Sequence, residues 1–206
     1  MKKIIYIDCG NGAAGDMLLS ALFHKTLGRK GVGEVIRLLK IREKFTWSAR
    51  AVDESGISAF RTVINEEKKR EKTFAEIISR IERSAFSRSV REKTKRVFAD
   101  IARTEAGIHG KSISRIHFHE LGWLDSFLEI SGFFWGLERL GIDEVTVSPV
   151  SVGAGEVNCR HGILPNPAPA TLELLKGFIV EGRAVEEEIT TPTAAAILKN
   201  VSSGSG

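Results

Sequence analysis

Apolar residues fall along this chain with two different periods. Ile4 to Asp8 is a short run rich in β-branched residues and reads as a buried strand. A glycine-rich turn, Gly10 to Gly15, separates it from residues 16–25, where Met17, Leu18, Ala21 and Leu22 recur at helical spacing. Gly28, Gly31 and Gly33 punctuate the next stretch, and Val32 to Lys40 predicts a second short helix. Phe45 to Val52 and Ile57 to Ile64 read as strands, joined by a turn over residues 53–56. A charged run from Glu66 to Lys72 reads as a solvated connection. Thr73 to Glu76, Ser89 to Glu92 and Ser126 to Glu129 each spell a capping box. The first two predict a helical hairpin from Thr73 to Ile108, and the third a helix to about Leu140, stopped by Gly141. Val145 to Val147 predicts a strand and Val152 to Leu164 a glycine-rich loop. Pro165, Pro167 and Pro169 precede a helix over 170–176, and residues 190–193 lead into a last one over 194–198. Residues 202–206, Ser and Gly only, have the composition of a flexible tail or an expression scar.

The pattern predicts an α/β (α+β) fold. A small mixed sheet from the segments near Ile4, Phe45, Ile57 and Val145 is expected, covered by helices and carrying the helical hairpin as an insertion. The order strand, helix, strand, strand, helix is that of a split β-α-β unit. The expected organisation is one domain over 1–201 and a tail over 202–206.

Composition narrows the function classes. Of 206 residues, 42% are hydrophobic and 27% charged, enough for a real core. No run of about 18 apolar residues is present, and the first apolar run is too short for a signal peptide, so a cytoplasmic protein is expected. The net charge of +4 is interleaved with glutamates between Lys68 and Arg96, and no nucleic-acid motif accompanies it. Two cysteines, Cys9 and Cys159, are too few for a disulfide scaffold; they read as small buried side chains or as soft thiolate ligands.

The glycine turn spells G-x-G-x-x-G across Gly10, Gly12 and Gly15, after a strand and before a helix. A dinucleotide site also needs an acid about 20 positions further on. The first acid ending a credible strand is Asp53, so that spacing fails. A more general reading remains: backbone N–H groups at a helix N-terminus suit a phosphate. Asp8, Gly12, Gly15 and Asp16 are the candidate nucleotide or phosphate residues, and the two carboxylates could share a divalent ion with it. Against this stands a plain turn with Asp16 as a helix cap.

A second cluster is His117, His119 and Glu120. In an extended segment the two imidazoles share a face, with Cα atoms roughly 6.5–7 Å apart. Asp125 and His161 could complete a metal site; imidazole and carboxylate suit nickel, zinc or manganese alike. The alternative is that Asp125 and Ser126 serve the helix start and that the histidines are structural.

Several segments together resemble the N-terminal half of the nickel insertion protein family of the nickel-pincer cofactor pathway. They are Tyr6 to Cys9 with Gly12 to Met17, Ile116 to Gly122 with Leu124 to Ser126, Val147 to Pro149 and Gly153 to Gly155. His161 to Leu175 and Thr191 to Thr193 complete the set, in the family's order. The resemblance implies a CTP-dependent cyclometallase, of lyase or chelatase type, that uses Mg or Mn with CTP. It would insert nickel into pyridinium-3,5-bisthiocarboxylic acid mononucleotide, forming one nickel–carbon and two nickel–sulfur bonds. A nickel-pincer-dependent racemase is the implied downstream client. Two departures are local: Gly10 to Gly12 reads Gly-Asn-Gly where the family has Phe-Ser-Gly, and Glu66 to Lys72 lacks the family's histidines. A third is that the family continues through a second domain not found in this sequence. The alternative expectation is therefore a metal- and nucleotide-binding scaffold acting with a separate C-terminal chain, or as a homo-oligomer.

Overall fold

A computed structural model describes residues 1–66, 72–116, 118, 123–159 and 162–205, with backbone alone at 159 and 203–205. The strands are β1 (Ile4–Ile7), β2 (Phe45–Glu54), β3 (Ile57–Glu66), β4 (Glu144–Val147), β5 (Val150–Val152), β6 (Glu156–Cys159), β7 (Gly162–Pro165), β8 (Val180–Gly182) and β9 (Ser202–Ser205). The helices are α1 (Gly15–Phe23), α2 (Gly28–Leu39), α3 (Phe74–Arg83), α4 (Arg88–His109), α5 (Trp123–Leu140), α6 (Pro169–Leu174) and α7 (Pro192–Val201). The mixed α/β class expected from the pattern holds. The chain divides into two compact units: residues 1–14, 97–116 and 141–206, and residues 15–96 and 117–140.

In the first unit β1 runs parallel to β4, with Ile5 opposite Val145 and Ile7 opposite Val147. β9 lies on the other side of β4, so the residues with the composition of a loose tail pair with Val145 and Val147. β5 pairs with β8, and β6 with β7. The core includes Val145, Val147, Phe98, Leu174 and an α7 stretch, Ala194 to Leu198, that is wholly buried. Three successive alanines make α7 slim enough to be enclosed on every side. Thr191 caps it, accepting from Ala194 N–H at 3.3 Å. Asn200 ties α7 to the C-terminal half of α4 by donating to Asp100 Oδ2 at 2.7 Å.

In the second unit β2 and β3 form a ten-residue antiparallel hairpin from Phe45–Glu66 to Glu54–Ile57. Ser55 and Gly56 both have positive φ, 55° and 84°, the geometry of a two-residue hairpin turn matching strand twist. α1 packs on α5 and on β3. Gly132 and Gly136, one turn apart on α5, allow the approach: a Cβ at Gly132 would stand 2.9 Å from Leu19 Cδ1, and one at Gly136 2.8 Å from Phe23 Cε1. The capping box at Thr73 is present, Thr73 Oγ1 accepting from Glu76 N–H while Glu76 accepts from Thr73 N–H.

Four expectations need correction. The segments near Ile4, Phe45, Ile57 and Val145 do not share one sheet; they form a parallel pair and a separate hairpin. Alternation fixes which face of a strand is buried, not which strand it joins. The helix expected from Ser126 starts at Trp123, because buried Trp123 and Leu124 extend its apolar face upstream. Ser126 lies inside that helix at 3% exposure and caps nothing. α4 starts at Arg88, capped by Ser87, whose Oγ accepts from Val90 N–H at 3.2 Å, rather than by Ser89. The span 152–164, expected as loop, contains the β6–β7 hairpin, with Val157 opposite Leu164.

Candidate functional site

β1 delivers Asp8 and Cys9 into the glycine turn, where almost every backbone group has a protein partner. Asp8 is exposed, and its Oδ1 accepts from Gly10 N–H at 2.9 Å. The carbonyl of Gly10 accepts from Ser151 Oγ at 2.9 Å and from Arg183 Nη2 at 3.1 Å. Arg183 Nε in turn donates to Ser151 Oγ at 3.0 Å. Gly12 N–H donates to Cys9 O at 2.9 Å and Ala13 N–H to Ile189 O at 2.8 Å, while Thr191 N–H returns to Ala13 O at 3.0 Å. Gly12 has φ +85°, and a Cβ there would lie 2.0 Å from Ile189 O. Glycine at 12 is thus a packing and backbone requirement. The N–H groups of Gly10, Gly12 and Ala13 face internal acceptors, so Gly12 offers a phosphate no free donor in this conformation.

A neighbouring clamp explains the Gly153 to Gly155 and Pro165 to Pro169 motifs. Asn166, 7% exposed and cis to Pro167, donates from Nδ2 to Ala154 O at 3.2 Å and to Glu187 O at 2.9 Å. A Cβ on Gly153 would come within 2.4 Å of that Nδ2. Nothing in the sequence marked Ser151, Arg183 or Thr190, because each reaches the loop from more than 130 residues away. Asn166, isolated between two prolines, was the one visible signal.

The second unit holds the other half of the candidates. Gly15 is the buried first residue of α1; Asp16 is exposed, and its Oδ1 accepts from Met17 N–H at 2.8 Å. Asp125 sits in the first turn of α5, and Glu129 follows one turn later on the same face. Burial pushes the Glu129 carboxyl up to about 8, and the charges of Asp16 and Asp125 push it the same way. Glu129 therefore carries its proton at neutral pH. Capping-box spacing assigns Glu129 to a helix start; its separate signal is a lone acid within the apolar run of α5.

His117, His119, Glu120 and His161 lie outside the described residues. Among the described residues, no group of three or more His, Cys, Asp or Glu is arranged to hold a metal ion. Cys9 is fully buried, and burial followed by the Asp8 charge pushes its thiol up to about 11. It is a neutral thiol at ordinary pH, which favours the small-buried-residue reading over a thiolate ligand. Among the described residues no helix is long and apolar enough to cross a membrane.

Fold and site thus define a mixed α/β protein with a rigidly held glycine turn in one unit and a proton-retaining carboxylate group in the other. The chain belongs to the nickel insertion protein family, whose pattern matches residues 5–206. It is 40% identical to a putative nickel insertion protein of Geobacter metallireducens, over 99% of this chain and 53% of that protein. A putative nickel insertion protein of Wolinella succinogenes is likewise 40% identical, over 99% of this chain and 52% of its own length. A pyridinium-3,5-bisthiocarboxylic acid mononucleotide nickel insertion protein of Staphylococcus saprophyticus is 39% identical, over 97% of this chain and 51% of its own. The chain spans about half the length of these relatives. No solved structure matches it.

Proposed function

We propose that this chain is the N-terminal, substrate-holding part of a cytoplasmic nickel insertion system. Its substrates are nickel and pyridinium-3,5-bisthiocarboxylic acid mononucleotide, and its reaction is a CTP-dependent cyclometallation with Mg or Mn beside the CTP. The observation that carries this reading is the family match over residues 5–206. Forming a nickel–carbon bond expels a ring proton, which a base must accept; the ionised form of Glu129, whose carboxyl is raised to about 8, has the proton affinity such a base needs.

In this reading Gly15 and Asp16, at the start of α1, take the phosphate and its counter-ion. Asp8 and Gly12 then act by shaping the turn that leads there. His117, His119, Glu120 and Asp125 supply nickel ligands, with His161 retained as a further ligand on its sequence motif. A second reading is a non-catalytic scaffold that binds metal and nucleotide and presents the substrate to a separate C-terminal chain. One experiment separates the two. The chain is mixed with nickel, CTP, Mg and the mononucleotide, with and without the separately expressed C-terminal half of a full-length relative. Product formed by this chain alone, read by mass spectrometry, supports the complete enzyme. Product only with both chains supports the scaffold. No product in either mixture, with the full-length relative active in parallel, removes the proposal.

A further inference from the structure

The free edge of β1 is built for pairing. β1 is the terminal strand of its sheet, bonded to β4 on one side and, among the described residues, to no strand on the other. Lys3 O and Ile7 O face β4, accepting from the N–H groups of Glu144 and Ser148. Backbone groups alternate in direction along a strand, so the N–H and C=O of Ile4 and Tyr6 point to the open edge. Side chains alternate as well: Ile4, Tyr6 and Asp8 are exposed, Ile5 and Ile7 half-buried, Cys9 buried. Ile4 is 56% and Tyr6 64% exposed. Open edges are normally blunted by central charges, prolines or a covering segment, and Ile4 and Tyr6 are apolar and uncovered.

We propose that β1 pairs antiparallel with β1 of a second copy of this chain, across a two-fold axis, joining two three-stranded sheets edge to edge. The charges select both occupant and register. With Ile5 opposite Ile5 on the axis, Ile4 faces Tyr6 of the second copy in a hydrogen-bonded pair, and Lys2 faces its Asp8. Ammonium meets carboxylate at both ends of the ribbon, and apolar meets apolar in the middle. A slip of two residues one way sets Lys2 against Tyr6; the opposite slip sets Ile4 against Asp8. Only the central register satisfies every pair on the face of Lys2, Ile4, Tyr6 and Asp8. Lys2 shares that exposed face and bonds Glu144 on the β4 side, so Asp8 of the second copy would be a second carboxylate for its ammonium. The contact is isologous and closes on itself.

The proposal is independent of the nickel chemistry and is tested on the whole chain. Sedimentation equilibrium across micromolar concentrations is expected to show twice the chain mass for the wild type and the single mass for Tyr6→Lys. Circular dichroism should show Tyr6→Lys folded, since that side chain is exposed in the monomer. A wild type monomeric at every concentration, or a folded Tyr6→Lys that still dimerises, overturns it. Register is read by oxidation. Ile5→Cys stands opposite itself, at a Cα separation of roughly 4.5 Å that a disulfide spans, and should cross-link into a covalent dimer. Ile4→Cys alone should not, whereas mixed Ile4→Cys and Tyr6→Cys proteins should. Cross-linking of Ile4→Cys to itself overturns the register, and with it the charge argument for a second copy.

Discussion

Single atoms decide the two sharpest residue-level outcomes. At Gly12 a methyl group would meet Ile189 O at 2.0 Å, on a backbone of positive φ. Gly12→Ala is therefore expected to destabilise the first unit by about 3 kcal/mol or more, through combined strain and lost hydrogen bonds. A urea midpoint unchanged from wild type would show that the turn can relax. At Glu129 the sign runs with pH. Its folded acid constant, about 8, lies above the ordinary 4.5, so folded chains keep a proton that unfolded chains lose. Stability from this group is full below about pH 4.5, declines as pH rises, and levels off above about pH 8. Glu129→Gln should remove that decline and melt higher than wild type at pH 8, with little difference at pH 4.5. Thermal melts of both proteins across that range check it; parallel curves would mean Glu129 is ionised in the folded chain. The sequence exposed such residues unevenly. Gly12 was visible as part of a motif, but its reason, the carbonyl of Ile189, lies 177 positions away and no local pattern contains it.

At the scale of elements, the local code was legible where the deciding contacts are local. The Thr73 cap, the β2–β3 hairpin and the position of α7 follow from residues within a few positions of one another. Thr73→Ala should cost about 1 kcal/mol by leaving the first-turn N–H groups of α3 unpaired, read as a shift in the denaturation midpoint. Legibility failed where a longer-range burial overrode a local signal. Ser126 to Glu129 spells a capping box, yet Trp123 and Leu124 carry α5 three residues further upstream because their burial outweighs a cap. The β6–β7 hairpin was hidden by Gly153, Gly155 and Gly162, which serve turns and the Asn166 clamp rather than a loose loop. Gly132 and Gly136 carried a meaning the sequence did not announce, close approach of α1 to α5. Gly136→Val should cost roughly 2–3 kcal/mol by pushing on Leu22 and Phe23, despite removing a helix-weakening glycine. Equal melting temperatures for variant and wild type would show that α1 shifts without loss.

For the whole molecule, the α/β class was readable from periodicity, and the family from a string of motifs spread over nearly the whole chain. The division into two units was not, because each is assembled from pieces distant in sequence. That interleaving has a consequence for how the protein is made. β1 leaves the ribosome well before its partner β4, which begins only at Glu144. At roughly 5–20 residues per second the strand waits on the order of 10–30 s for its other half. Every residue of the second unit has been synthesised by Leu140, so that unit can fold while the first is still missing β4 and everything after it. Cys9 reports the delay, since the Ser148 hydroxyl that receives its N–H is not yet made. In nascent chains stalled with Leu140 emerged and β4 still inside the ribosome, Cys9 should react readily with an alkylating reagent, and on release of the finished chain it should become inert. The protein's birth order is thus the reverse of its numbering: the middle of the chain sets first, and the N-terminal strand is the part that has to wait.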